Sequence, residues 1–250
     1  MAVPGSTNVV RLPEPVQRDR LEDTPCAACP VREFAVCSGL EDWELDRLNA
    51  IRMPSEVPQG STLFDEGGDA DYVYNLTSGS VKLYKLLPDG RRQITGFVFP
   101  GDFLGLAHDT EYVYTAEAVS DASLCKFKRK QLNGLFKEFP RLESRLLSMS
   151  RDELAEAHNQ MLLLGRKTAK ERIASFLMML AQRAEELGFP NNPIEVPMSR
   201  NDIGDYLGLT TETVSRTLTR LKKADVIAIQ SDRRITLANL DALQDMADGF

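Results

Sequence analysis

Three of the chain's four cysteines crowd into one short segment, Cys26-x2-Cys29-x7-Cys37, and the fourth, Cys125, stands far downstream. In a reducing compartment structural disulfides do not persist, so clustered thiols point to metal or redox chemistry. Four thiolates are the ligand set of an iron–sulfur cubane. They serve a tetrahedral zinc site equally well, and without metal they form a thiol–disulfide sensor. Haem is the weaker reading, because His108 and His158 are the only histidines and both read as exposed. An arm that carries three thiols and folds over a fourth would turn metal binding into local folding energy.

A second constellation lies near the C-terminus. Ser199-Arg200-Asn201-Asp202 carries an N-terminal capping signature, an acid three positions after a serine. A helix over 200–207 then buries Ile203 and Leu207. Gly208 makes a tight turn with positive φ, and Thr210 caps a second helix that buries Val214, Leu218 and Leu221. The other face of that helix carries Thr211, Glu212, Ser215, Arg216, Thr219 and Arg220, followed by Lys222 and Lys223. Arg bonds guanine bidentately, Glu accepts from cytosine N4, and Ser and Thr serve base or phosphate. This is a helix-turn-helix made to enter the major groove of double-stranded DNA. Glu212 also suits the first turn of a helix for electrostatic reasons alone. Arg200, Arg220, Lys222 and Lys223 are candidates for phosphate.

The elements that hold these groups follow from periodicity. Residues 1–25 read as a flexible lead, since Pro4, Pro13, Pro15 and Pro25 prevent a continuous helix. A short helix over 41–51 has Trp43, Leu45, Leu48 and Ile51 as its apolar face. Between about 54 and 128, strands at 62–64, 72–76, 80–86, 92–99, 112–118 and 123–127 alternate with glycine turns, the pattern of a sandwich or barrel. Leu87-Pro88-Asp89-Gly90 is a hairpin turn. Helix resumes near Lys130. From Pro140 to Leu164 there is no internal Gly or Pro, and Leu147, Ser150, Leu154, Ala157, Met161 and Leu164 repeat at alternating spacings of three and four, a coiled-coil seam; a helix packed on its own barrel is the alternative, and the length of the seam favours self-association. Ser150 and Ala157 bury little area, so the homodimer it makes is marginal, which suits a switch. A helix over 167–186, a strand over 195–198, a wing of strands 226–229 and 234–237 around Asp232-Arg233-Arg234, and a tail helix from Asn239 complete the chain.

The net charge of −7 argues against nucleic acid only until its distribution is read. Residues 166–250 hold 12 basic and 12 acidic side chains, so the acid excess lies before them. Local charge sets phosphate attraction. The N-terminus lacks the layout of a secretory signal and no apolar run approaches a membrane span, so a cytoplasmic protein without a membrane partner is expected. No P-loop, GxSxG or HExxH motif is present, and no enzyme is expected. An electron-transfer iron–sulfur protein is the reading from another class, and it has no use for a capped reading helix.

The stretch from Ser199 to Arg216, SRNDIGDYLGLTTETVSR, closely resembles the signature of the Crp/Fnr superfamily of transcription regulators. The likeness covers residues 20–245, and Leu162-Leu-Leu164 and Ala169-Lys-Glu-Arg-Ile173 are similar to the hinge of Fnr-type members. The resemblance implies an α+β architecture: a flexible arm (1–39), a double-stranded β-helix or jelly-roll sensor barrel (40–137), a dimerisation helix (138–165) and a winged helix-turn-helix (166–250). It implies that Glu212, Ser215 and Arg216 read a palindrome of the TTGAT-N4-ATCAA type and that RNA polymerase is a partner. The cysteine pattern resembles the FnrN/FixK-type oxygen sensors, which implies a 4Fe–4S cluster on Cys26, Cys29, Cys37 and Cys125, with zinc or no metal as alternatives. Members that bind cyclic AMP clamp its phosphate with an arginine after a Gly-Glu pair. Here that stretch reads Pro100-Gly101-Asp102-Phe103-Leu104-Gly105, and no arginine lies between Arg92 and Arg129, so no cyclic nucleotide is expected.

Overall fold

The computed structural model describes residues 25–249 except 27, 106, 109 and 232. All of the expected lead but Pro25, and Asp232 of the wing turn, lie outside them. The cysteine segment leads through a 3-10 turn, Val36–Gly39, into helix α1 (Asp42–Ile51), whose N-terminus is closed by reciprocal bonds between Glu41 and Glu44. Leu45 and Leu48 are buried as expected. Trp43 is not: it is 66% exposed and rests edge-on against Phe139. Position 43 falls about 140–160° from Leu45 and Leu48 around the helix, so a helical turn carries it off that face.

Ten short strands follow: β1 (Met53–Val57), β2 (Thr62–Phe64), β3 (Tyr72–Ser78), β4 (Val81–Leu86), β5 (Arg92–Val98), β6 (Phe103–Leu104), β7 (Ala107–His108), β8 (Glu111–Tyr112), β9 (Thr115–Ala118) and β10 (Ala122–Lys128). Two four-stranded antiparallel sheets, ordered β1-β10-β3-β6 and β2-β9-β4-β5, face each other as a jelly roll, and β7 pairs with β8. Phe64, Tyr74, Leu76, Val81, Leu83, Leu104, Tyr112 and Leu124 fill the space between them. The Leu87–Gly90 turn closes β4 to β5, with Gly90 at φ +83°. The sequence pattern missed β1; Pro54 is tolerated there because β1 is an edge strand. The expected strand at 112–118 is split into β8 and β9.

Helix α2 (Arg129–Glu138) leads to the 27-residue α3 (Pro140–Arg166), with proline in its first turn, where a missing N–H costs nothing. Thr168 and Glu171 form the capping box of α4 (Ala169–Glu186). Strand β11 (Ile194–Glu195), helices α5 (Arg200–Leu207) and α6 (Thr211–Lys223), strands β12 (Ile227–Ser231) and β13 (Arg234–Leu237) and helix α7 (Leu240–Asp248) make the C-terminal unit. The ladder of β11 stops before Pro197, which has no N–H to extend it toward Met198. Val226 stays outside β12 because its N–H closes the preceding helix on Leu221. Ile173, Phe176, Leu177, Ile203, Leu207, Val214, Leu218 and Leu221 form one buried core, against which Phe97 and Phe99 of the barrel pack.

Candidate functional sites

The reading head is built by its caps. The Ser199 side chain accepts the Asp202 N–H, and the Asp202 carboxylate in turn accepts from Ser199. Gly208 stands at φ +62° and ends α5; its missing Cβ would meet Leu164 and Arg172. Thr210 accepts from the Thr213 N–H and starts α6. Arg172 bonds the Leu164 and Leu207 carbonyls, 2.8 Å each, so one guanidinium satisfies the ends of both α3 and α5. Val214, Leu218 and Leu221 point inward, which leaves Glu212, Ser215, Arg216, Thr219, Arg220, Lys222 and Lys223 exposed on the opposite side. Thr211 is half-buried and donates to Asn201. Arg200 is also half-buried, at the first position of α5. The Glu212 carboxylate accepts from its own N–H and from Thr210, which hold it below the usual carboxylate range. Its helix-capping role is thus satisfied in the free protein. Arg233 and Arg234 at the wing are exposed, and Arg234 lies 3.5 Å from Glu195.

The sequence-distant cysteines come together. Cys26, Cys37 and Cys125 pack against one apolar cluster beneath α1, α2 and α3, and each of the three thiols feels the charge of Cys29. All four are free thiols and half-buried. Burial raises Cys26, Cys37 and Cys125, and with help from the neighbouring thiols it takes Cys37 up to about 12. Arg52 opposes the rise at Cys125, to which it is hydrogen-bonded, and at Cys26. Cys26 also approaches Asn49 Oδ1 at 3.5 Å. Among the described residues no three His, Cys, Asp or Glu side chains stand at metal-holding spacing. The donor set itself is all sulfur, in an apolar shell, with a guanidinium beside it. That donor chemistry fits iron–sulfur or zinc ligation.

The seam residues divide by exposure. Leu147, Leu154 and Met161 are 58%, 56% and 61% exposed and seven residues apart. Ala157 is exposed, Ser150 is half-buried and bonds Leu146, and Leu164 is half-buried against the C-terminal core. The opposite face, Leu142 and Leu163, is buried within the chain. Sequence reasoning missed the contacts between the barrel and α5. Their partners lie more than a hundred residues apart, and no local pattern announces them.

The profile of the Crp-like helix-turn-helix domain matches residues 171–246, and that of the cyclic nucleotide-binding domain matches residues 54–139. The nitrogen fixation regulation protein FixK of Bradyrhizobium diazoefficiens is 41% identical over 204 residues, 82% of this chain and 86% of that protein. The transcriptional activator protein FnrL of Cereibacter sphaeroides is 38% identical over 226 residues, 89% of this chain and 91% of that protein. The structure of FixK2 from Bradyrhizobium japonicum superposes with a TM-score of 0.74 at 39% identity, covering 78% of this chain and 97% of that one.

Proposed function

Because the chain belongs to the Crp/Fnr family of DNA-binding transcription regulators, we propose that it is an oxygen-responsive activator of the FixK and FnrL type. In this reading it binds a TTGAT-N4-ATCAA-like palindrome as a homodimer while Cys26, Cys29, Cys37 and Cys125 hold a 4Fe–4S cluster, and it engages RNA polymerase. The observation that carries the reading is the convergence of the arm's thiols on Cys125, beneath the helix that exposes Leu147, Leu154 and Met161. The cluster supplies oxygen-labile iron–thiolate bonds between arm and barrel. The arm, once fastened, presses the 3-10 turn onto α3. Leu147, Leu154 and Met161 then meet their copies, and two α6 helices stand about one DNA turn apart. When the thiols are released the arm loosens, the seam opens and DNA is lost.

One observation weighs against a rival. The barrel interior, where a cyclic nucleotide would enter, is stacked with Phe64, Tyr74 and Tyr112, the first and last with ring centres 3.8 Å apart. The test is anaerobic purification followed by visible absorption, iron and sulfide assay, oligomer state and operator binding before and after air. A broad band that air bleaches, with loss of dimer and operator binding, is expected. A colourless zinc protein would point to the zinc site, and a cluster-free protein that binds operator equally in air would end the proposal.

A further inference from the structure

We infer that Lys82 and Arg92 of the sensor barrel are positioning residues for DNA reading, gripping α5 through Asp202 and Asp205 so that α6 stands at a fixed angle to the barrel and the dimer helix. Lys82 lies on β4 and is 6% exposed. Its Nζ is 2.8 Å from Glu117 Oε1, its cross-strand partner, and 3.0 Å from Asp202 Oδ1. Arg92 on β5 places Nη2 2.9 Å from Asp202 Oδ1 and Nε 2.8 Å from Asp205 Oδ2. Gln93 donates to the Asp205 carbonyl, and Gln160 of α3 donates to the Tyr206 carbonyl, each at 2.8 Å. Phe97, Phe176 and Tyr206 close the apolar side of the joint, with centroids 5.0–6.2 Å apart.

A buried lysine is rare unless paired. Such a network adds little stability over apolar packing, but it admits one geometry and penalises a missing partner heavily. It therefore sets orientation. The barrel covers α5 and leaves the outer face of α6 exposed, so the contact is a mount for the reading helix and not a mask over it. It also has an electrostatic effect. Asp202 and Asp205 belong to the domain that must approach phosphates, and the barrel's two cations offset part of their charge, with Lys82 shared between Asp202 and Glu117. A mounted head also loses less freedom when both half-sites are engaged. None of this depends on what the cysteines hold.

The test is an exchange of charges at the pair that does not cap α5. Arg92→Asp and the double variant Arg92→Asp/Asp205→Arg are made in the full chain, and binding to operator and to random DNA is measured by fluorescence anisotropy at one salt concentration. Arg92→Asp is expected to weaken operator binding by about tenfold or more, and the double variant to recover part of that loss, because the carboxylate at position 92 regains a partner at 205 but still faces Asp202. Far-UV dichroism and a thermal melt check the fold. Should Arg92→Asp not fold, Arg92→Gln is expected to weaken operator binding by about threefold or more. Unchanged or tighter binding by the single variants would overturn the proposal, and so would a double variant no better than Arg92→Asp.

Discussion

Arg145 Nη2 donates to the Phe34 carbonyl at 2.5 Å, and its Nε to the Ala35 carbonyl at 3.4 Å, so a guanidinium on α3 holds the backbone just ahead of Cys37. Gly39 makes the approach possible: a Cβ there would lie 2.7 Å from the Arg141 carbonyl oxygen and 3.1 Å from Arg145 Cβ. Leu147, the first exposed seam residue, is two positions further along the same helix. The cysteine segment and the seam are therefore mechanically continuous.

Arg145→Ala should free that backbone. A charge-assisted hydrogen bond contributes about 1.5–3 kcal/mol, so amide exchange at Ala35–Cys37 should accelerate by about tenfold or more. Gly39→Ala should do the same by steric displacement, with no bond removed. Exchange that is unchanged in both variants would show that the arm is held elsewhere.

The two faces of α3 should fail differently. Leu154→Glu removes apolar area that is exposed within one chain, so the melt of the monomer should hardly move. The dimer should weaken by about 3 kcal/mol or more, since burying a leucine is worth about 1.5–3 kcal/mol and symmetry doubles it. Leu163→Ala opens a cavity inside the chain and should lower monomer stability by about 2–5 kcal/mol. Sedimentation together with denaturant titration separates the two effects.

What the sequence disclosed follows the range of the forces involved. The helix-turn-helix was legible to the residue because Ser199, Gly208 and Thr210 act on neighbours within four positions, and the structure places α5 at Arg200–Leu207 as read. The heptad spacing of Leu147, Leu154 and Met161 was legible for the same reason. Trp43 was misplaced because an aromatic in an amphipathic helix does not announce which side of the stripe it joins. The mount was invisible: Lys82 and Asp202 are 120 positions apart, and only the fold makes them partners. The meeting of Cys125 with the arm came from family likeness, since spacing alone cannot say which strand faces which segment.

Acid should weaken the mount only below the ordinary carboxylate range, because Asp202 is held there as the anion. Burial pushes the Asp202 carboxyl up, but hydrogen bonds from Ser199 and Lys82 and the Lys82 charge outweigh it, so its pKa is lowered from 3.8. A carboxyl depressed in the folded state contributes stability that is present above the unfolded value and lost as pH falls through the folded one. The urea midpoint of the C-terminal unit should therefore drop below about pH 3.8. Asp202→Asn, which cannot ionise, should flatten that dependence. An equal acid drop in the variant would assign it to other carboxyls.

Arg216 is the sharpest test of the reading face. It is exposed on α6 and donates to Thr213 Oγ1 at 3.4 Å. Arg216→Ala should leave the melt unchanged and weaken operator binding by about 1–3 kcal/mol, with little effect on random DNA. Arg220→Ala, Lys222→Ala and Lys223→Ala should weaken both DNAs alike, each reducing the salt slope by about one. If Arg216→Ala lost both equally, Arg216 would be a phosphate contact, and the base readers would have to be sought at Glu212 and Ser215.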